Sequence, residues 1–279
     1  MSPRVSEILH DKTFLVHFIP TVLILIVGLG ATIWGYSVAH ETLARDRRQI
    51  INAIANDIER SVGNRFMLYE EILRSGVGFF AGSENVTRSD WQRYVDTLEI
   101  RMRYPGIKGI GVAPIVLESE LSTHVGQATS EGIEQYQVVP TSQRDVYSPI
   151  LYLEPNDTHN QQMLGYDLFN DPIRRQAMEE ARDSGRAFYT DKLDPINQVS
   201  SDDQANFMVF LPYYRQQLPT DTTDQRRQAI EGFVFVPLHA EDFFNYVFSQ
   251  SNDIRNVGLR IYANKKDAEH LIYENDNYK

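Results

Sequence analysis

One run of 25 residues, Phe14 to Val38, contains no Asp, Glu, Lys or Arg. A helix rises about 1.5 Å per residue, so this run exceeds the roughly 20 residues needed to cross a bilayer. His17 and Pro20 lie near its start, and Trp34 and Tyr36 near its other end, where aromatic rings settle at the membrane interface. The rival reading is a cleaved leader, because Ser37-Val38-Ala39 resembles a small-residue cleavage site. A leader's apolar core is only about 7–15 residues long, and this run is longer and leads straight into a helix-compatible segment. The run is therefore read as a retained anchor. Arg4 and Lys12 precede it and Arg45, Arg47 and Arg48 follow it, so the positive-inside rule does not orient it. About 240 residues of mixed polar and apolar composition come after the run. A large folded region held to one side of a membrane suits a receptor better than a free enzyme.

The whole chain is 42% hydrophobic and 23% charged, values that fold, and the region after the run has room for one large domain or two small ones. A net charge of −11 argues against nucleic acid and against docking on anionic lipid. Zero cysteines exclude disulfides, a thiolate nucleophile and Cys-based metal sites, and fit a bacterial periplasm. His10, His17, His40, His124, His159, His239 and His270 form no HxxxH or HExxH pair. With no G-x-S-x-G elbow and no Walker loop, neither a cofactor nor a catalytic residue is expected. Glu70-Glu71, Glu179-Glu180 and Asp202-Asp203 read as solvated acids. Gly106-Ile-Lys-Gly109-Ile-Gly111 has the wrong spacing for a dinucleotide loop, and reads as glycines that let strands pack closely.

Beyond the anchor, Ile50, Ile54, Ile58, Val62, Phe66 and Tyr69 recur at spacings near four, so one helix continues and ends at Gly76 and Gly78. A second helix is expected from Ser89 to about Arg103. Asp171 as N-cap, Pro172 in the first turn and Gly185 as terminator define a third. A short helix is expected around 241–248. Strands are expected over 107–116, 146–153, 186–190, 206–214, 231–238, 259–263 and 271–274, and 216–228 reads as a surface loop or short helix. Strands joined by hairpins and short peripheral helices make an antiparallel α+β module.

Aromatic and polar positions gather around the best-signalled helix. Tyr147, Tyr152 and Glu154 lie on one strand and its exit; Asp167 and Phe169 lead into the helix, and Met178 lies on its apolar face. Tyr189 and Thr190 follow it, and Met208 and Phe210 lie on the next strand. An apolar, aromatic-lined cleft with few polar groups is how a small flat ligand is usually held. The competing reading makes these ordinary core residues, and it is preferred for Phe210, Leu168 and Met178 taken singly. A carboxylate at Asp167, beside Tyr166 and Phe169, needs a partner or a ligand if buried; it also stands where it could help cap the helix.

The runs Phe79-Phe80, Tyr104-Pro-Gly-Ile-Lys-Gly-Ile-Gly-Val-Ala113, Tyr147-Ser-Pro-Ile-Leu-Tyr152 and Gly165-Tyr-Asp167 resemble the CHASE domain. Asp171-Pro-Ile-Arg-Arg175, Ala181-Arg-Asp-Ser-Gly185 and Thr190 extend the resemblance, which covers roughly residues 72–248. CHASE domains are the extracellular sensor modules of plant cytokinin receptors and of many bacterial signalling proteins. The resemblance implies an α+β fold: an N-terminal transmembrane helix and a long stalk helix, followed by tandem PAS-like antiparallel sheets. The expected division is a cytoplasmic N-terminus at 1–13, the membrane helix at 14–38 and the stalk at 39–75. A membrane-distal ligand-binding part follows at 76–230, then a membrane-proximal part at 231–279, cut short. In plant members an acidic side chain holds the adenine ring of a cytokinin, and that position looks like Asp167; Tyr189 falls where the plant pattern has leucine, and Thr190 matches its threonine. The implied partners are a small organic ligand (adenine-like or another flat molecule), the inner membrane, and a second copy through the stalk. The large domain would lie in the periplasm. Family members return through a second span to a histidine kinase or diguanylate cyclase, so the chain is expected to be a piece of a longer receptor. An anchored periplasmic enzyme and a protein-binding ectodomain are the alternatives.

Overall fold

The computed structural model describes residues 12–83, 85–193, 207–250, 257–262, 265–268, 270–275 and 277–278. Residues 1–11 of the expected N-terminal segment, the Asp202-Asp203 pair, and the strand residues Asn206 and Ala263 lie outside these. The chain divides into two compact units, Met1–Asp57 and Ile58–Lys279.

The first unit contributes the beginning of helix α1, Lys12–Ala81. Within it, Pro20–Val38 has a mean hydropathy of 1.9 and is long and apolar enough, by length and composition, to cross a membrane. The hydroxyls of Thr32 and Ser37 donate back to the carbonyls of Gly28 (2.8 Å) and Ile33 (2.9 Å). Such internal bonds let a helix carry hydroxyls through lipid without leaving them unsatisfied.

In the second unit the same helix buries Tyr69, Ile72 and Leu73, spaced three and four apart and so sharing one side. The helix passes the expected end at Gly76 and runs on to Ala81. Gly76 serves a close approach instead: a Cβ there would lie 3.0 Å from Val234 Cγ1 and 3.3 Å from the Trp91 ring. Helix α2, Arg88–Leu98, is opened by a capping box between Thr87 and Asp90. Glu99, at φ 50°, breaks the expected single helix, and α3 resumes at Ile100–Arg103.

Five antiparallel strands form the main sheet: β1 (Ile110–Pro114), β4 (Tyr152–Glu154), β5 (Phe188–Tyr189), β6 (Phe207–Tyr214) and β7 (Ile230–Leu238). Their spatial order is β4-β1-β7-β6-β5. The division expected after residue 230 therefore needs correction: β7 is the middle strand, hydrogen-bonded to β1 on one side and β6 on the other. A small ladder joins β2 (Val116–Leu117) to β3 (Val146–Tyr147). Near the C-terminus, β8 (Arg260–Tyr262) pairs only with β9 (Leu271–Glu274) among the described residues.

Strand alternation sorts the side chains. Register places Gly111 beside Phe235 and Ala113 beside Phe233, with Phe210 next to Phe235. These face the helix Pro172–Ser184, after two helices that the sequence patterns did not announce, Leu121–Ser130 (α4) and Thr158–Met163 (α5). Pro172–Ser184 (α6) has the predicted ends: Asp171 accepts from Arg174 N at 2.9 Å, and Gly185, at φ 70°, donates to Ala181 O at 2.8 Å. The opposite sheet face carries Ile110, Val112 and Val234, and meets α1 and α2. Glycines in the 106–111 run do permit tight packing: a Cβ on Gly111 would lie 2.4 Å from the Phe235 ring, and one on Gly109 2.9 Å from Glu154 O. Thr223–Ala229 (α7) and Ala240–Ser249 (α8) complete the unit, the latter stacking Phe243 on Phe66 of α1 at 4.8 Å.

Candidate functional site

Asp167 lies in a segment threaded between two neighbours by backbone bonds. Gly165 N donates to Ile150 O (2.8 Å), Val139 N to Gly165 O (3.0 Å) and Asp167 N to Val139 O (2.7 Å). Gly165 makes this possible at φ 82°, where a side chain is disfavoured. The Asp167 side chain is fully buried. Its Oδ1 accepts from Ser148 N (2.9 Å) and Phe169 N (3.1 Å), capping the 3-10 turn Leu168–Asn170. Its Oδ2 accepts no hydrogen bond and lies 3.3 Å from Arg144 Nη1. Burial pushes the carboxyl pKa up; the two backbone N–H groups and the Arg144 charge pull it back only in part.

Arg144 ties this carboxylate to Tyr147. The Arg144 backbone N donates to Tyr147 Oη at 2.9 Å, and its guanidinium also reaches Asn170 Oδ1 at 2.5 Å. Phe169, Met178, Met208 and Phe210 join Leu168, Phe233 and Phe235 in one buried cluster between α6 and the sheet. Thr190 lies beside it, its Oγ1 accepting from Met208 N (2.9 Å) while its own N donates to Met208 O (2.9 Å). The predicted pocket side chains on this face thus form packed core, which the chain enters at Leu168, directly after the buried acid.

The other predicted residues lie across the sheet. Tyr189 donates to Glu70 Oε1 of α1 at 3.1 Å and sets its ring edge-on to Phe66 at 5.0 Å. Burial, and then the Glu70 carboxylate, push its phenol pKa far up. Tyr152 donates to Glu131 Oε2 at 2.5 Å, an oxygen that also accepts from Arg88 N at 3.0 Å. Glu154, 2% exposed, keeps an unpartnered Oε2. The ten residues therefore do not converge on one cleft. They divide by face, as the alternation of β4 and β5 requires.

Burial raises the Glu154 pKa, against a partly compensating Arg88 charge. In the window above the ordinary carboxylate range the folded state then holds a proton that the unfolded chain has released, so this group's contribution worsens as pH rises. Glu154→Gln is expected to stabilise the unit by about 1 kcal/mol near pH 8, and by much less near pH 4, in urea unfolding followed by circular dichroism.

Sequence reasoning did not single out Arg144 or Glu131, gave His124 no role, and read Glu70 as a solvated acid, whereas it accepts from Tyr189. None stands in a motif; each is recognised only by what the fold brings to it. His124 Nε2 lies 2.9 Å from Tyr136 Oη, which itself donates to Ile150 O at 3.2 Å. The imidazole is therefore the donor in that contact, and burial, opposed by the Glu131 charge, holds its pKa down at about 4. A cavity of about 1150 Å³ opens beside His124 and Tyr152, between the end of α1, α4 and the loop after β6. A smaller one, of about 540 Å³, lies near Tyr104 and is rimmed by Arg101, Lys108, Asp157 and Asp242. Lys108 pairs with Asp242 at 3.0 Å, and Arg101 with Asp157. No group of three metal-ligating side chains occurs among the described residues.

A family model described as the CHASE domain matches residues 84–273, a span that includes all ten predicted positions. A search of curated proteins found no match.

Proposed function

The chain belongs to the CHASE domain family, the sensor domains of receptor-like signalling proteins, and from this we propose that it is the ligand-sensing region of a bacterial transmembrane receptor. It is anchored in the inner membrane by Pro20–Val38, with the second unit in the periplasm and a histidine kinase or diguanylate cyclase as output. The ligand is a small, flat organic molecule, with adenine derivatives as the leading class. Asp167 carries this reading. A buried carboxylate oxygen that accepts no hydrogen bond, 3.3 Å from Arg144 Nη1 and next in the chain to Leu168 and Phe169 of the buried cluster, matches the donor edge of a heteroaromatic ring.

Because those side chains are packed, the ligand enters by shifting α6 away from the sheet, and it stabilises whichever arrangement it prefers. Tyr189, just beyond α6, passes that shift to Glu70 and Phe66 of α1. A slide of about 1–2 Å then becomes the signal. Exposed Ile50 and Met67 support pairing of two copies through α1.

The test is a thermal melt of the full chain in phospholipid nanodiscs against a panel of adenine derivatives. A ligand at 100 times its Kd adds about 2.7 kcal/mol, several degrees in Tm, and Asp167→Asn abolishes the rise. A flat response to the whole panel rejects the ligand class. A rise that survives in Asp167→Asn rejects the site.

A further inference from the structure

The cavity of about 1150 Å³ lies on the sheet face that carries Val112 and Tyr152, opposite the Phe210 and Phe235 cluster, and its lining is of a different kind. Its floor is apolar and aromatic: Val112, Val116 and Tyr152 are each at most 4% exposed. Tyr152 is immobilised by its bond to Glu131, and Phe80 stacks on Tyr213 at 5.0 Å and 25°. The rim is made of exposed amides and carboxylates, Glu120, Gln127, Gln216, Gln217 and Glu231. Gln216 donates to Ala81 O, which fastens the rim to the last turn of α1.

Charge restricts what fits. Among the lining residues Arg215 is the one guanidinium or ammonium group, Glu120 and Glu231 are the two carboxylates, and His124 is neutral at pH 7. A phosphate or carboxylate ligand would meet net repulsion. Amide and carboxylate side chains around an apolar floor complement a molecule with an apolar face and a hydroxyl-bearing edge, which is the chemistry of a neutral sugar ring. The space exceeds the roughly 300–1,000 Å³ of a typical small-molecule pocket, so it accommodates more than one ring.

We propose that this cavity is a second ligand site, separate from Asp167, and that it takes a neutral di- or trisaccharide.

Isothermal titration tests this on the full chain in phospholipid nanodiscs, which contain no glycoside detergent to compete. The probes are maltotriose, lactose and chitobiose, with glucose 6-phosphate as the anionic comparison. At least one neutral sugar is expected to bind saturably, with Kd between about 1 μM and 1 mM, and the phosphate at least about tenfold more weakly. Thr123→Trp, which fills the cavity from the exposed side of α4, and Gln127→Ala each weaken binding by about tenfold or more, while Asp167→Asn leaves it unchanged. Failure of all three sugars to bind at about 10 mM, to protein whose circular dichroism is native, overturns the proposal. Binding that is lost in Asp167→Asn and kept in Thr123→Trp overturns it as well. Because the adenine panel is read through Asp167 and the sugars through Thr123, either site can fail without the other.

Discussion

Gly165→Ala is expected to destabilise the second unit by more than about 4 kcal/mol, a large share of the roughly 5–15 kcal/mol that holds a domain folded. Two effects combine. At φ 82° an L side chain is strained, a cost of about 1–2 kcal/mol by itself. The new Cβ would also stand 2.0 Å from Gln137 O. That oxygen is backbone and cannot swing aside like the end of a long side chain. Relief requires the 137–139 segment to move, which breaks the bonds from Val139 N to Gly165 O and from Asp167 N to Val139 O. Gly132 isolates the two effects: its φ is 83°, yet nothing lies within 4 Å of its ideal Cβ. Gly132→Ala should therefore cost only about 1 kcal/mol. Urea titrations of both variants by circular dichroism measure the difference directly, and equal losses would refute the steric account.

Trp91→Ala is expected to cost about 3–5 kcal/mol, the range for deleting a fully buried large aromatic. Trp91, on α2, is 0% exposed and packs against α1, with its ring 5.5 Å from Phe80 and 5.2 Å from Tyr94. Its Nε1 has no hydrogen-bond partner, so the loss is one of packing alone. Trp91→Phe should accordingly recover more than half of the deficit, since it keeps an aromatic ring in place. A Phe variant as unstable as the Ala variant would show that the indole nitrogen has a role that packing does not explain.

Features written in local spacing were legible. Asp171, Pro172 and Gly185 bounded α6 because caps and terminators act within one turn. The β6 and β7 runs were clear because both are nearly continuous apolar stretches. Gly76 misled for a definable reason. Glycine marks either a helix end or a tight contact, and only the position of Val234, 158 residues later in the chain, decides which. The short helices α4 and α5 gave no signal, since Leu121–Ser130 buries only Ala128. The site was half legible. Asp167 stood out as an acid among aromatics, and it is buried. Its neighbours Ser148 and Arg144 come from a loop crossing that no periodicity encodes. Spacing along one strand fixes the face of a side chain relative to its own strand only. Tyr152 and Phe210 could therefore be grouped on paper although the folded sheet separates them.

The position of β7 has a consequence for biogenesis. The strand at the middle of the sheet is made last of the five: its neighbour β1 ends at Pro114, and β7 ends at Leu238. Until more than 120 further residues have been synthesised, β1 and later β6 each present an unsatisfied inner edge. A nascent chain must wait in that state, where open edges invite pairing with other chains. The fold is thus decided at a single late moment, and holdase chaperones would be needed most just before Leu238 appears.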